Sequence, residues 1–368
     1  MPQNQSRARS RRIILASAIQ DIGLQPLERR VMFTSTPDTV LTLSMRKELL
    51  ADWNGPNKAQ LTADLAGHHN TQFDNDLLSY MQSRTNATFY FTPSQISDDL
   101  SYIQTYIGTS DITNSANDAV NHLFPASPGA GSDTLQLPAG DINWLGTTQG
   151  DTSKYQSLNR QAWWQNLATA YRLTGNTNYS TELTNELASW SAQNPALVDA
   201  NTWSQHAPSW SLLDTSIRAV NWTWAYSLMI GTSGWTAEAN TLFLVKMAET
   251  GQFLDAATPY ALNDNRAIEQ YQGLDYIATL FPEFTSASTW NTFAHKELFS
   301  AMNQQIYPDG SDREQAPGYA GVVLNNLLDT KLLDQDNGYN WNSTQSDLLT
   351  TGVTAYMQML SPNGDRAA

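Results

Sequence analysis

The stretch Leu158-Asn-Arg160-Gln-Ala-Trp-Trp164-Gln-Asn-Leu167-Ala-Thr-Ala-Tyr171-Arg-Leu-Thr-Gly175 decides the fold. Arg160, Trp164, Leu167 and Tyr171 fall at i, i+4, i+7 and i+11, one face of an α-helix, and Gly175 stands where a left-handed C-terminal cap belongs. Leu213, Ile217, Val220, Trp224 and Leu228 repeat the pattern ahead of Gly231. Further helices are expected at about 179–192, 236–256, 264–280, 288–304, 316–333 and 345–360, the last with Leu349, Val353, Tyr356 and Leu360 on one face. Connections too short for crossovers make consecutive helices antiparallel neighbours. The expected fold is all-α, an incomplete (α/α) toroid of antiparallel helical hairpins.

Outward from that core, residues 37–150 read as a less regular leading part and 151–368 as the core hairpins of one domain spanning 37–368. Helices are expected at about 45–66 and 72–84, followed by a Ser/Gly/Pro-rich region whose run Ala126-Ser-Pro-Gly-Ala-Gly-Ser-Asp133 is a loop on composition alone. Residues 1–36 read as a disordered or targeting tail. Arg7-Ala-Arg-Ser-Arg-Arg12 precedes a short apolar run from Ile13 to Ile19, at the lower length limit of a signal-peptide core. Leu24-Gln-Pro-Leu27-Glu28-Arg29 resembles the Leu-Glu-Pro-Arg-type motif near the N-termini of bacterial surface and secreted proteins, with Arg29 where proline is usual. A secreted or cell-surface location is the expectation; a plain basic tail is the alternative.

The net charge of −15 across 368 residues argues against nucleic acid, because a phosphate backbone requires a dense cationic footprint. No stretch approaches the roughly 20 apolar residues of a membrane-spanning helix. The absence of cysteine excludes disulfides and thiolate ligands. Twelve tryptophans serve two purposes, core packing and apolar platforms for sugar rings.

The run Tyr307-Pro-Asp-Gly-Ser-Asp-Arg-Glu314-Gln-Ala-Pro-Gly-Tyr319 closes one helix, turns on Pro308 and Gly310, and delivers charged groups and a tyrosine into the next. Asn263-Asp-Asn265-Arg266 opens another apolar-periodic segment, so amide, guanidinium, carboxylate and phenol are expected to converge at the mouth of a helical barrel.

Taken in order, Gly140-Asp-Ile-Asn-Trp144, Leu158-Asn-Arg160, Leu167 to Tyr179, Asn194-Pro195, Trp210-Ser-Leu-Leu-Asp214-Thr-Ser-Ile-Arg218-Ala-Val-Asn-Trp222, Asn265 to Leu274, Phe281-Pro-Glu283 and Asp309 to Tyr319 resemble the helical toroid of the heparinase II/III-like polysaccharide lyases. The resemblance covers about residues 140–325 and departs where the family's histidine after the asparagine is replaced by Arg266. The family's C-terminal β-sandwich, which usually contributes a catalytic histidine, would begin roughly where this chain stops, so it is expected to be absent from this chain.

The resemblance implies β-eliminative cleavage of a uronic-acid-containing anionic polysaccharide, heparan-sulfate-like or alginate-like, and the lack of metal-ligand spacing or a phosphate-cradling glycine loop makes cofactor-free chemistry the expectation. Such a reaction builds negative charge on the uronate carboxylate and requires donors aimed at it. Asn265 would neutralise that carboxylate, and Tyr319 would act as acid and base. A phenol with an ordinary pKa of about 10 needs a cation beside it to serve as a base near neutrality, and Arg266 is the candidate. Arg160, Trp144, Trp210, Arg218, Glu314 and His206 complete the expected substrate-binding set. Alternatives stand beside these roles: Asn265 as a helix cap, Arg160 in an ion pair, and Arg218 and Glu314 as structural residues. His68, His69, His122 and His295 show no convergent partners, and no His/Asp/Glu cluster has metal-ligand spacing. Two other functions remain open, a non-catalytic glycan-binding or surface-assembly module, and a glycoside hydrolase using carboxylates among Asp264, Asp309, Asp312 and Glu314.

Overall fold

The computed structural model describes residues 33–92, 94–126, 133–146 and 152–360. The leading part contains α1 (Pro37–Val40), α2 (Leu43–Asp52), α3 (Lys58–Ala66), α4 (Asn70–Ser83), α5 (Ile96–Tyr102) and α6 (Ser110–Val120). Two short strands, β1 (Leu123–Pro125) and β2 (Thr134–Gln136), pair antiparallel with Phe124 opposite Leu135. Then come α7 (Thr152–Arg160), α8 (Trp164–Thr174), α9 (Thr177–Gln193), α10 (Leu212–Met229), α11 (Ala237–Ala256), α12 (Asn265–Leu280), α13 (Ala287–Gln305), α14 (Pro317–Asp336) and α15 (Ser343–Gln358). No described helix is long and apolar enough to cross a membrane.

Local chemistry sets these boundaries. The side chains of Thr42, Asn176, Ser211, Thr236, Asp264 and Asn342 each accept a backbone N–H in the first turn of the helix they precede, satisfying donors that the helix itself leaves unpaired. At the other end of α8, Gly175 has φ +69° and its N–H donates to the Tyr171 carbonyl, a left-handed closure that a Cβ would strain.

Helices α8, α10, α12 and α14 pack one against the next, while α9, α11, α13 and α15 each pack beside the helix they follow or precede. Cross-helix hydrogen bonds fix the direction of the first group. Gln165 bonds Asn221 and Arg172 bonds Leu228, so α8 and α10 ascend together. Asn265 bonds Glu314 and Gln272 bonds Asn326, so α12 and the chain through α14 do the same. Alternate helices running in parallel, with return helices outside, are the arrangement of an α/α toroid. One apolar core runs from Leu41 in the leading part through Leu333 in α14.

Helices α1, α5 and α6 and the β1–β2 pair occupy stretches where the sequence reading expected no element, and three further details differ from it. The helix expected over 45–66 is broken between α2 and α3, where Trp53 bridges to Phe284 and the Asn54 N–H donates to the Glu283 carbonyl at 2.6 Å. Gly55 lies so close that a Cβ there would sit 2.6 Å from the Trp53 indole, and Pro56 offers no N–H to continue a helix. The helix expected to carry Arg160 with Trp164 is also two, because Gln161 takes φ +51° between α7 and α8. In α10, finally, Leu213, Ile217, Val220 and Trp224 are only half-buried, while Thr215, Ser216, Arg218 and Thr223 are buried. The apolar stripe there marks the less enclosed side of a helix that is packed on nearly every face.

Candidate active site

The start of α12 is capped by Asp264, whose carboxylate accepts the Arg266 N–H at 3.0 Å. Asn265 is therefore the first helical residue and its side chain is not the cap. Instead its backbone N–H and its Nδ2 both donate to Glu314 Oε1, at 3.1 and 2.7 Å. Glu314 reaches this position from the turn between α13 and α14. There Ile306 bridges to Asp312, and Gly310 at φ +86° packs so that a Cβ would lie 2.4 Å from the Thr351 carbonyl oxygen. Asp312 is buried beneath the turn, where desolvation raises its pKa, and it accepts the Glu314 N–H at 3.0 Å.

Asn265, Arg266, Glu314 and Tyr319 line a single cleft of about 780 Å³, together with Arg160 and Leu213. Leu213, Asn265 and Tyr319 sit in the first turns of α10, α12 and α14. The N-terminal ends of these helices thus converge on the cleft, and helix N-termini favour anionic groups. Tyr319 is 53 % exposed, with its phenol open to solvent.

The guanidinium groups are held differently. Arg160 Nε donates to Asp214 Oδ1 at 2.7 Å, and among the described residues its terminal nitrogens have no hydrogen-bond partner. Arg160 is thus both an ion-pair member and a cleft wall with free donors. Arg266 makes a forked pair with Asp264 at 2.9 and 3.0 Å through Nε and lies 4.3 Å from the Tyr260 ring centroid. The Arg266 hydrogen bonds hold Asp264 below the usual carboxylate range. The cation that the sequence offered to Tyr319 is therefore engaged by Asp264 and Tyr260.

Glu269 escaped the sequence reading. It lies in the cleft one turn beyond Asn265, half-buried, and its Oε2 has no hydrogen-bond partner. Desolvation, only partly offset by Arg160, pushes its pKa up to about 7. The available signal was its i+4 spacing from Asn265, which places both side chains on one helix face.

Other expected site residues lie elsewhere. Trp144 is fully buried, with Nε1 donating to Ser189 Oγ at 3.2 Å, and Trp210 is 2 % exposed, with Nε1 donating to the Pro195 carbonyl at 3.0 Å. Neither indole has a free face on which a sugar can stack. Arg218 is 1 % exposed, sits 4.2 Å from the Trp190 ring centroid and donates to the Asn159 carbonyl. Burial depresses its pKa to about 9, partly countered by Asp214, and the group braces the core rather than the cleft. His206 is exposed and lines a separate cavity of about 320 Å³ with Trp210 and Val198. Of the carboxylates weighed for hydrolysis, Asp264 and Glu314 line the cleft, Asp309 is an exposed turn residue bonded to Ser311, and Asp312 is buried.

Two histidines also have partners the sequence did not reveal. His122 Nε2 lies 3.0 Å from Glu182 Oε1. His295 Nε2 lies 3.0 Å from both Asp275 Oδ1 and Asp334 Oδ1. These contacts join residues 20 to 60 positions apart, a spacing no local motif exposes.

Inner parallel helices, outer returns and a cleft at the helix starts define a domain of the α/α-toroid class. The chain belongs to the Heparinase II/III N-terminus family, which matches residues 50–364. It is similar to the heparin-sulfate lyase of Bacteroides thetaiotaomicron, 28 % identical over 256 residues that cover 68 % of this chain and 35 % of the relative. The heparin-sulfate lyase of Bacteroides stercoris is 26 % identical over 262 residues, 68 % of this chain and 37 % of the relative. Among solved structures, a heparinase III superposes with a TM-score of 0.71 at 23 % identity, covering 86 % of this chain and 48 % of that one. Heparan sulfate lyase HepC from Pedobacter heparinus gives 0.65 at 20 % identity, covering 87 % and 49 %. The structural likeness bears on the fold, and the chain spans about a third to a half of the length of these proteins.

Proposed function

We propose that this chain supplies the cleft of a polysaccharide lyase that cleaves a uronic-acid-containing anionic glycan of the heparan-sulfate type by β-elimination. The observation that carries the reading is that Asn265 and Tyr319, brought by different helices, line one cleft with Arg160 and Glu269. The relatives named heparin-sulfate lyase support the substrate class.

In the proposed reaction the C5–H bond breaks and its electron pair delocalises onto the uronate carboxylate. That charge is met by the Asn265 amide, which Glu314 orients through the bond at 2.7 Å. Glu269, whose raised pKa leaves a large protonated fraction near neutrality, donates a further hydrogen bond to the carboxylate. The free terminal nitrogens of Arg160 hold the same group electrostatically. The C4=C5 double bond then forms, the C4–O bond breaks, and the leaving oxygen takes a proton from the Tyr319 phenol. The C5 proton goes first to Tyr319 acting as its phenolate, and it is this proton that the resulting phenol passes to the leaving oxygen. Arg266 stands on the rim as a further anion contact, and export through residues 1–36 belongs to the same proposal.

The test is to incubate the gene product containing this chain with heparan sulfate and, separately, alginate, following the ultraviolet absorbance of the unsaturated product. Absorbance growth that Asn265→Ala and Tyr319→Phe each suppress supports the reading. New reducing ends without that absorbance select hydrolysis, and glycan binding with neither selects the binding module.

A further inference from the structure

We propose that Asp275, His295 and Asp334 form a divalent transition-metal site, with Zn²⁺ the expected ion, that fastens α12, α13 and α14 to one another. One residue comes from each helix, and their donor atoms all lie within 4.8 Å of one another. His295 Nε2 is 3.0 Å from Asp275 Oδ1 and 3.0 and 3.1 Å from the two oxygens of Asp334. Donors about 2.0–2.1 Å from a tetrahedral Zn²⁺ lie about 3.3–3.4 Å apart, so a few tenths of an ångström of movement separates this cluster from a coordination sphere.

Charge supplies the second argument. Both carboxylates are fully buried and His295 is 4 % exposed. Among the described residues no lysine or arginine is within ion-pair distance of either aspartate. A protonated His295 leaves the buried group with a net charge of about −1, whereas a divalent ion with neutral imidazole leaves it near zero. Uncompensated buried charge is costly.

The third argument is an open valence. Asp275 Oδ2 is buried without a hydrogen-bond partner, although the other oxygen of the same carboxylate accepts from Asn291 Nδ2 at 3.0 Å. Asp334 Oδ2 accepts from Trp341 Nε1 at 2.6 Å, and the His295 ring is held against Tyr339 with centroids 3.9 Å apart. Metal-binding carboxylates and imidazoles are oriented by outer hydrogen bonds and packing of this kind. One nitrogen and carboxylate oxygens without sulfur suit Zn²⁺ or Mn²⁺, and the ligand set is too small and too nitrogenous for Ca²⁺. The ion would replace the proton shared between His295 and the aspartates, so binding would release about one proton per site.

The proposal is tested on the full chain, with no reference to lyase activity. Protein grown with supplementary Zn²⁺ is expected to retain about one equivalent through dialysis, by plasma mass spectrometry. EDTA should lower its Tm, and added Zn²⁺ should restore it. Calorimetric titration in two buffers of different ionisation enthalpy should show about one proton released near pH 7. His295→Gln and Asp275→Asn should abolish retention. Trp341→Phe, which touches only the outer bond, should weaken binding by about tenfold to a hundredfold. A parent protein that takes up neither Zn²⁺ nor Mn²⁺ and whose Tm ignores both would overturn the site. So would retention unchanged in folded His295→Gln and Asp275→Asn.

Discussion

Helix α12 carries two polar clusters of opposite character. At its N-terminus, Asn265 and Glu269 face a cleft that Arg160 and the exposed Tyr319 also line. Ten residues further along, Asp275 is sealed among His295, Asp334, Asn291 and Trp341. The first cluster keeps hydrogen-bonding capacity available to a ligand and is partly solvated. The second uses nearly all of its capacity inside the protein. Polar groups with spare valence at a surface can do chemistry at small cost to stability, whereas groups sealed in the core bear on stability first.

The strongest way to break that contrast is to open the sealed cluster. His295→Ala leaves two buried carboxylates facing one another without a cation, and removal of one partner from a buried charge cluster costs about 3–5 kcal/mol. Urea unfolding should show a loss of that size. A loss below about 1 kcal/mol would mean that water reaches Asp275 and Asp334, and that the two clusters differ less than their burial indicates.

The complementary expectation concerns the cleft. Asn265→Ala and Tyr319→Phe should each lower turnover by about 10²–10³, as loss of one preorganised donor does, while the melting temperature moves little. Asn265 contributes its amide only to Glu314, and Tyr319 is more than half exposed. If either variant instead melts early, that side chain holds the toroid together and the active-site assignment loses its basis.

The two clusters also differ in how they could be read. Asn265, Arg266, Glu314 and Tyr319 lie in two short runs, 263–266 and 307–319, each tied to a helix start by Pro, Gly or Asp, so their convergence followed from helices with short connections. From α9 onward helix number and most boundaries were legible for the same reason, because periodicity and caps are local, whereas α1, α5 and α6 in the leading part were not. The other exceptions were long-range. The break after α2 depends on Trp53 meeting Phe284, and the burial of Trp144 and Trp210 depends on what packs over them. The Asp275, His295 and Asp334 cluster joins three helices and leaves no trace in any one of them. Glu269 lay in between, on the right face at i+4 but revealed as a perturbed carboxyl only by its surroundings.

Glu269 sharpens the comparison by pH. Its folded pKa of about 7 stands above the ordinary glutamate value of 4.5, so the folded state favours the protonated form. Stability from this group is therefore full below pH about 4.5 and is lost as pH rises through about 7, to a total on the order of 3 kcal/mol. Glu269→Gln stays neutral and should flatten the stability profile across that window, so the difference from the parent grows toward pH 8. Identical profiles for parent and variant would place Glu269 in a wetter setting than its unpartnered Oε2 suggests.

Arg266 is expected to have the smallest effect on stability and tests how far the cleft's ion pairs are structural. Its side chain is 47 % exposed and its pair with Asp264 is half in water, so Arg266→Ala should change stability by less than about 1 kcal/mol, with salt reducing even that. A rim contact to an anionic glycan would raise KM and weaken the dependence of binding on ionic strength, while kcat holds. A guanidinium that leaves Asp264 and Tyr260 to stabilise the Tyr319 phenolate would behave otherwise, lowering kcat and moving its pH profile upward. Arg266→Ala and Arg266→His, compared for kcat and KM across pH and salt, separate the two roles. A fall in kcat that histidine restores in part would put Arg266 in the chemistry, and an effect confined to KM would leave it on the rim where Asp264 holds it.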